Sequence, residues 1–279
     1  MSWRAHRPYA LLGLLCAALA AVPVIMARTV PDPMALAGSY MGWTLGLYLA
    51  AFTGAALAAA TFGADDAQRP GWLLMGLSYL ALLPARLLVG PNPSGLFQAD
   101  EPLLWLRVVS SVANSSLMLA AMLALARAWR QSGLDDPRPW LRWVTQLAGV
   151  ALAVALMGPD LIRTQLPAVL DGDAAAWGNV ITDVLDGLVL AVAVPVLRAA
   201  VALGGGLVAW PWLFLTTGLL GWICFDAIAA SDGLGLTPFD ARTATEVART
   251  WACLFTMAAG AAQRWIMSAP PGAPDEDAV

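Results

Sequence analysis

The chain has 279 residues, of which 59% are hydrophobic and only 12% charged, with a formal net charge of −4. A soluble domain carries about 25% charged residues, so a mean hydropathy of +0.70 excludes an ordinary cytosolic globule, a disordered chain and a nucleic-acid-binding domain. What remains is an integral membrane protein whose first partner is the lipid bilayer.

A membrane helix needs about 20 mostly apolar residues. In chain order the candidate spans are 9–27, 39–62, 72–89, 103–127, 141–157, 177–201, 207–230 and 249–267. The fold expected is all-α: a polytopic transmembrane helix bundle of about eight spans over residues 1–267, followed by a short proline-containing cytoplasmic tail, 268–279. The first run has Arg4 and Arg7 before it, as a secretory signal would. It is nevertheless long enough to span, and an uncleaved helix is expected. The fifth run is the shortest, and the stretches 158–176 and 231–248, rich in Asp, Gly and Pro, are expected as outer loops.

Arginine placement sets the orientation. Arg127, Arg130, Arg138 and Arg142 crowd one short connection, and Arg4, Arg7, Arg69, Arg198 and Arg264 fall on the same side. The positive-inside rule makes that side cytoplasmic, with both termini there, in a bacterial inner membrane. Asp160, Asp171, Asp173, Asp240 and Glu246 then fall at the outer side. Trp72, Trp129, Trp140, Trp143, Trp210 and Trp265 lie near inner boundaries and Trp105, Trp177 and Trp251 near outer ones, where indoles favour the headgroup level. Trp222 lies deeper, as a packing residue or a pocket wall.

Several chemistries are removed by absent residues. There is no lysine, hence no Schiff base and no Walker-type phosphate loop. The single histidine, His6, lies in the N-terminal tail, which removes bis-histidine haem ligation and the usual zinc sites. Cys16, Cys224 and Cys253 form no CxxC and read as small core-filling residues. No cofactor and no metal is expected. Asp183 and Asp186 imitate an Asp-x-x-Asp pair, but they supply fewer oxygens than a divalent site wants. With no Gly-x-Ser-x-Gly or His-Glu-x-x-His present, a non-enzymatic protein is expected.

Small residues in the second run, Gly42, Gly46, Ala50, Ala51, Gly54, Ala55 and Ala58, allow close helix approach. Intramolecular packing is the simple reading and dimerisation the other. Pro84, Pro195 and Pro211 are expected to bend helices and free carbonyls.

The informative residues are polar groups inside the spans. Asn179, Thr182, Asp183 and Asp186 form a stripe on the sixth run, and Arg107, Ser110, Ser111, Asn114 and Ser115 do so on the fourth. Arg86 and Asp226 join them from the third and seventh. At 1.5 Å per residue, Arg86, Arg107 and Asp226 lie roughly 6 Å below the outer boundary, Asp183 about 9 Å and Asp186 about 14 Å. A charge at such depth costs about 2.5–3.5 kcal/mol and must face the bundle. Arg86, Arg107, Asn114, Asn179, Asp183, Asp186 and Asp226 are therefore the candidate site residues. Three readings stay open: structural pairing, a ligand pocket open to the outer face, and an ion or proton path through Asp183 and Asp186.

One family likeness accompanies this pattern. Asp186-Gly-Leu-Val-Leu, the run from Pro211 to Gly218, and Gly221-Trp-Ile-Cys-Phe-Asp226 before a short Gly-containing loop resemble the multi-span (7TM-type) sensor modules that precede bacterial histidine kinase or diguanylate cyclase domains. The resemblance covers about the last 100 residues of the sequence. It implies an outward ligand site and signalling through the last helix. The chain departs from that family after Met267, where no helical linker or output domain follows, so output is expected through a separate membrane or cytoplasmic signalling partner. The function expected is sensing or binding of a small molecule from the outer side. The alternatives are a secondary transporter or proton-coupled carrier, and a structural subunit of a membrane complex.

Overall fold

Helix starts and breaks follow the prolines. Asp32 caps α3 (Pro33–Ala59) through its carboxylate, which accepts from the Ala35 amide at 2.7 Å, and Pro33 occupies the first turn, where its missing N–H costs nothing. Pro23 opens α2 (Val22–Thr29) after α1 (Trp3–Leu19) in the same way. Pro84 separates α4 (Arg69–Ala81) from α5 (Leu83–Val89), and Gly90, at φ +79°, ends α5. The computed structural model describes residues 3–90, 103–131, 139–202, 206–236 and 240–268. The remaining helices are α6 (Leu104–Gln131), α7 (Pro139–Asp160), α8 (Leu166–Leu170), α9 (Ala174–Ala202), α10 (Ala209–Gly233) and α11 (Ala241–Ser268). A π-helical turn, Leu161–Gln165, joins α7 to α8.

Among the described residues, seven spans are long and apolar enough to cross a membrane: Ala5–Thr29, Pro33–Ala59, Arg69–Val89, Leu104–Gln131, Trp143–Leu170, Ala176–Val194 and Ala209–Asp232. α11 is the eighth long helix. Its polar residues keep it out of the apolar set, and packing explains why it can carry them. Helices α3, α4, α6, α9, α10 and α11 form a closed ring in which each packs on the next. α1 and α2 cover the outer side of α11, while α7 packs outside α9 and α10. α11 thus has neighbours on both flanks and behind it, and Glu246, Arg249, Thr250, Thr256 and Gln263 are all buried. Outward-facing Leu11, Leu14, Leu15, Leu147, Val154 and Ile162 give the peripheral helices the apolar surface a bilayer requires.

The first and last described helices, α1 and α11, meet at one end. Tyr9 stacks on Trp210 with centroids 5.8 Å apart and meets Trp265 edge-on at 5.9 Å. At the other end the Tyr40 hydroxyl bonds the Pro23 carbonyl at 3.1 Å and the Thr243 hydroxyl at 3.0 Å.

Several expectations are corrected. The stretch 158–176 is largely helical: α7 runs through Pro159 to Asp160, and the π turn and α8 continue the span to Leu170. Asp160 is consequently buried within a helical span rather than placed in a loop. The last helix starts at Ala241 rather than Arg249, so Glu246 lies inside a helix. Trp72 and Trp129 are buried core residues, Trp129 packing edge-on against Trp212 at 4.9 Å. Trp105, Trp140, Trp143, Trp177 and Trp265 are exposed. Cys16 and Cys253 are buried, but Cys224 is exposed. Gly42 and Gly46 meet nothing within 4 Å; the close approach on α3 is at Gly54, against Met257 and Gly260 of α11. The side chains of Arg138, Arg142, Pro195 and Arg198, and the tail beyond Ser268, lie outside the described residues.

Candidate functional site

Inside the helix ring, at the end away from Tyr9 and Trp265, lies a cavity of about 190 Å³. Helical spacing accounts for its walls. Ser111, Asn114, Ser115 and Met118 on α6, Thr182, Asp186 and Val189 on α9, and Leu219, Trp222, Ile223 and Asp226 on α10 each lie on one face at i, i+3, i+4 or i+7. Arg86 and Gly90 stand where α5 ends, Arg107 near the start of α6, and Tyr48 and Arg249 close the α3 and α11 side.

The stripe read on α9 divides. Thr182 and Asp186 face the cavity, whereas Asp183 points to the α7 side. There the Gln165 side-chain amide donates to Asp183 Oδ2 at 2.9 Å and to Asp160 Oδ2 at 2.7 Å. Asp160 Oδ1 and Gln165 Oε1 are buried without a partner among the described residues. Asn179 is half-buried and stands outside the cavity lining. The cavity therefore brings together Arg86, Arg107, Asn114, Asp186 and Asp226, but not Asp183 or Asn179.

Asn114 is held by the break in the third span. At the end of α4 the Leu82 amide turns to the Tyr79 carbonyl. This leaves the Ser78 carbonyl without its i+4 donor, and the Asn114 amide donates to it at 3.0 Å. Asn114 thus ties α6 to α4 as well as lining the wall.

Glu246 and Arg249 are functional candidates that the sequence reading placed elsewhere, Glu246 as an outer-loop acid. Glu246 accepts from the Arg249 guanidinium and from the Thr44 hydroxyl, the latter at 3.1 Å, and Arg86 Nη2 lies 3.9 Å from its Oε1. The Arg249 guanidinium carbon also sits 4.8 Å from the Phe225 ring centroid. Their i, i+3 spacing was the available signal, but it falls in a stretch whose polarity reads as loop. Two guanidiniums therefore share one carboxylate at this wall of the cavity. On the neighbouring α9 and α10 walls, Asp226 has Asp186 as its first electrostatic neighbour, and Ser115 hydrogen-bonds Asp186.

The floor is a hydrogen-bonded chain. The Trp222 indole N–H donates to the Tyr79 hydroxyl at 3.2 Å, and that hydroxyl bonds the Thr256 hydroxyl at 2.8 Å. Tyr79 is fully buried beneath the cavity. Among the described residues no group of three or more His, Cys, Asp or Glu side chains is arranged to hold a metal ion. Comparison with protein-family models, with curated proteins and with solved structures gives no match to this chain.

Proposed function

We propose that this protein is a non-enzymatic membrane module that binds a small molecule in the cavity of its helix ring and senses it from the outer side of a bacterial inner membrane. The observation that carries the reading is the cavity, whose lining combines carboxylates and guanidiniums from different helices with apolar and aromatic side chains. Binding sites combine an apolar lining with a few placed polar groups in this way. Arginine distribution supports an outward mouth and cytoplasmic termini. The Trp222–Tyr79–Thr256 chain beneath the cavity favours a binding site over a conduit, because passage to the other end would have to break it.

α11 is suited to carry the output. It contributes Arg249 to the cavity wall and runs on to Trp265, beside Tyr9 at the far end. A ligand that alters the Arg86–Glu246–Arg249 contacts would bias the position of this helix, and a separate partner would read the shift.

The test is a thermal-shift screen of the purified protein in lipid nanodiscs against small polar metabolites, repeated with Asp226→Asn. A hit lost in the variant supports binding in the cavity, and hits indifferent to it overturn that location. Counterflow of the hit in proteoliposomes would replace sensing with the carrier reading.

A further inference from the structure

We infer, building on the binding reading above, that the cavity takes a zwitterionic small molecule, with its ammonium group between Asp186 and Asp226 beside Trp222 and its carboxylate toward the arginine side.

The wall charges are segregated by helix. Asp186 comes from α9 and Asp226 from α10; Arg86, on α5, continues the α4 side of the ring, which faces α10, while Arg249 on α11 adjoins α10 with its guanidinium against Phe225. Glu246 engages Arg249 and lies 3.9 Å from Arg86, so one carboxylate is shared between two guanidiniums, and Arg107 is a further cation of the lining that an incoming anion could approach. Two facing carboxyls in a low-dielectric interior repel unless a cation or a proton lies between them. An ammonium donates three hydrogen bonds and so can engage two carboxylates together with the Ser115 hydroxyl. Trp222 lies one helical turn before Asp226 on the same face, where an indole ring adds cation–π attraction. Size agrees with a compact ligand: an apolar cavity of about 150 Å³ holds benzene, and this one measures about 190 Å³.

The experiment uses the full chain in nanodiscs. Cys224 is replaced by alanine, because it is exposed while Cys16 and Cys253 are buried, and Ser111→Cys places a thiol in the cavity wall. Modification by a small neutral methanethiosulfonate is followed by mass spectrometry, with Thr29→Cys as an exposed control at the same end. The probes are matched triplets of amino acid, amine-only and carboxylate-only compounds, such as L-leucine, isopentylamine and 4-methylpentanoate. The amino acid of at least one triplet should slow modification of Ser111→Cys saturably and better than either half-molecule. Asp226→Asn should weaken that protection about tenfold to a hundredfold, and Asp186→Asn serves where Asp226→Asn does not fold. Equal protection by the carboxylate-only compound, no protection by any probe, or protection untouched by a folded acid variant overturns the zwitterion and leaves the cavity as a binding site. An inert Ser111→Cys beside a reactive Thr29→Cys overturns the binding reading itself.

Discussion

The crossing of α3 and α11 gives the sharpest test of the packing. A Cβ placed on Gly54 would lie 2.5 Å from the Met257 Cα and 2.7 Å from the Met257 carbonyl oxygen, both backbone atoms. Carbon atoms in contact prefer about 3.5–4.0 Å, so Gly54→Ala must separate the two helices by roughly 1 Å. A gap of that size forfeits about a quarter to a half of the dispersion energy of each contact along the seam. Ala51, Ala55 and Ala58 on α3 and Ala258, Ala259 and Ala262 on α11 are all buried, which leaves the two helices little room to readjust. Overpacking of this kind costs about 1–3 kcal/mol and sometimes more, and the upper end is expected because no flexible side chain can give way. Gly46→Ala is the matched control, since a Cβ there meets nothing within 4 Å. Thermal unfolding in detergent, followed by tryptophan emission, should show a clear loss for Gly54→Ala and none for Gly46→Ala. Equal behaviour of the two variants would refute the crossing.

The buried ion pair gives a second expectation: Glu246→Gln should lose about 3–5 kcal/mol by stranding the Arg249 guanidinium, and a further Arg249→Met change should recover most of it. A double-mutant cycle on unfolding midpoints measures the coupling, and additive losses would contradict the pair. Tyr79→Phe removes a hydroxyl that bonds both Thr256 and Trp222, and should cost about 1–2 kcal/mol while shifting the Trp222 emission; unchanged spectra would dismiss the floor described above. Gln165→Leu removes the amide between Asp160 and Asp183 and should cost about 3 kcal/mol, so a loss near zero in the same unfolding assay would show that the bridge contributes nothing. Reporter fusions at the N- and C-termini should both signal the cytoplasmic side, and opposite signals would break the even-numbered topology.

Apolar runs made the class of fold legible, because a bilayer demands them wherever a helix meets lipid. The same rule explains where the reading failed. α11 faces other helices rather than lipid, so its first three turns can hold Arg242, Glu246 and Arg249, and their polarity looks like a loop. Asp160 was misplaced for a related reason: Pro159 suggests a helix end, yet the π turn carries the helix onward and turns Gln165 toward the two acids. Of the candidate residues, Arg86, Arg107, Asn114, Asp186 and Asp226 share the cavity. Depth and stripe could bring out such a group but could not resolve rotation within the stripe. Asp183 differs from Asp186 by three residues, roughly 60° around the helix axis at 100° per residue, and that angle decides between the cavity and the Gln165 contact.

The polarity of α11 and the glycines around it are one feature of the fold. A carboxylate and a guanidinium inside a membrane are tolerated only where lipid is excluded and the two can pair. Exclusion here depends on how closely α3 and α10 approach. Gly54 meets the Met257 backbone, and Gly221 would bring a Cβ to 2.8 Å from the Ala252 amide nitrogen. These approaches draw α3 and α10 against opposite flanks of α11, while α1 and α2 cover its outer side. Thr44 on α3 then reaches Glu246, and Phe225 on α10 covers Arg249. With Glu246 fixed in this way, Arg249 is held at the cavity wall and Arg86 is oriented from across α5. The small residues therefore serve the site as well as the fold: close backbone approach is what allows ionic groups to stand, paired and oriented, at the depth where a ligand would meet them.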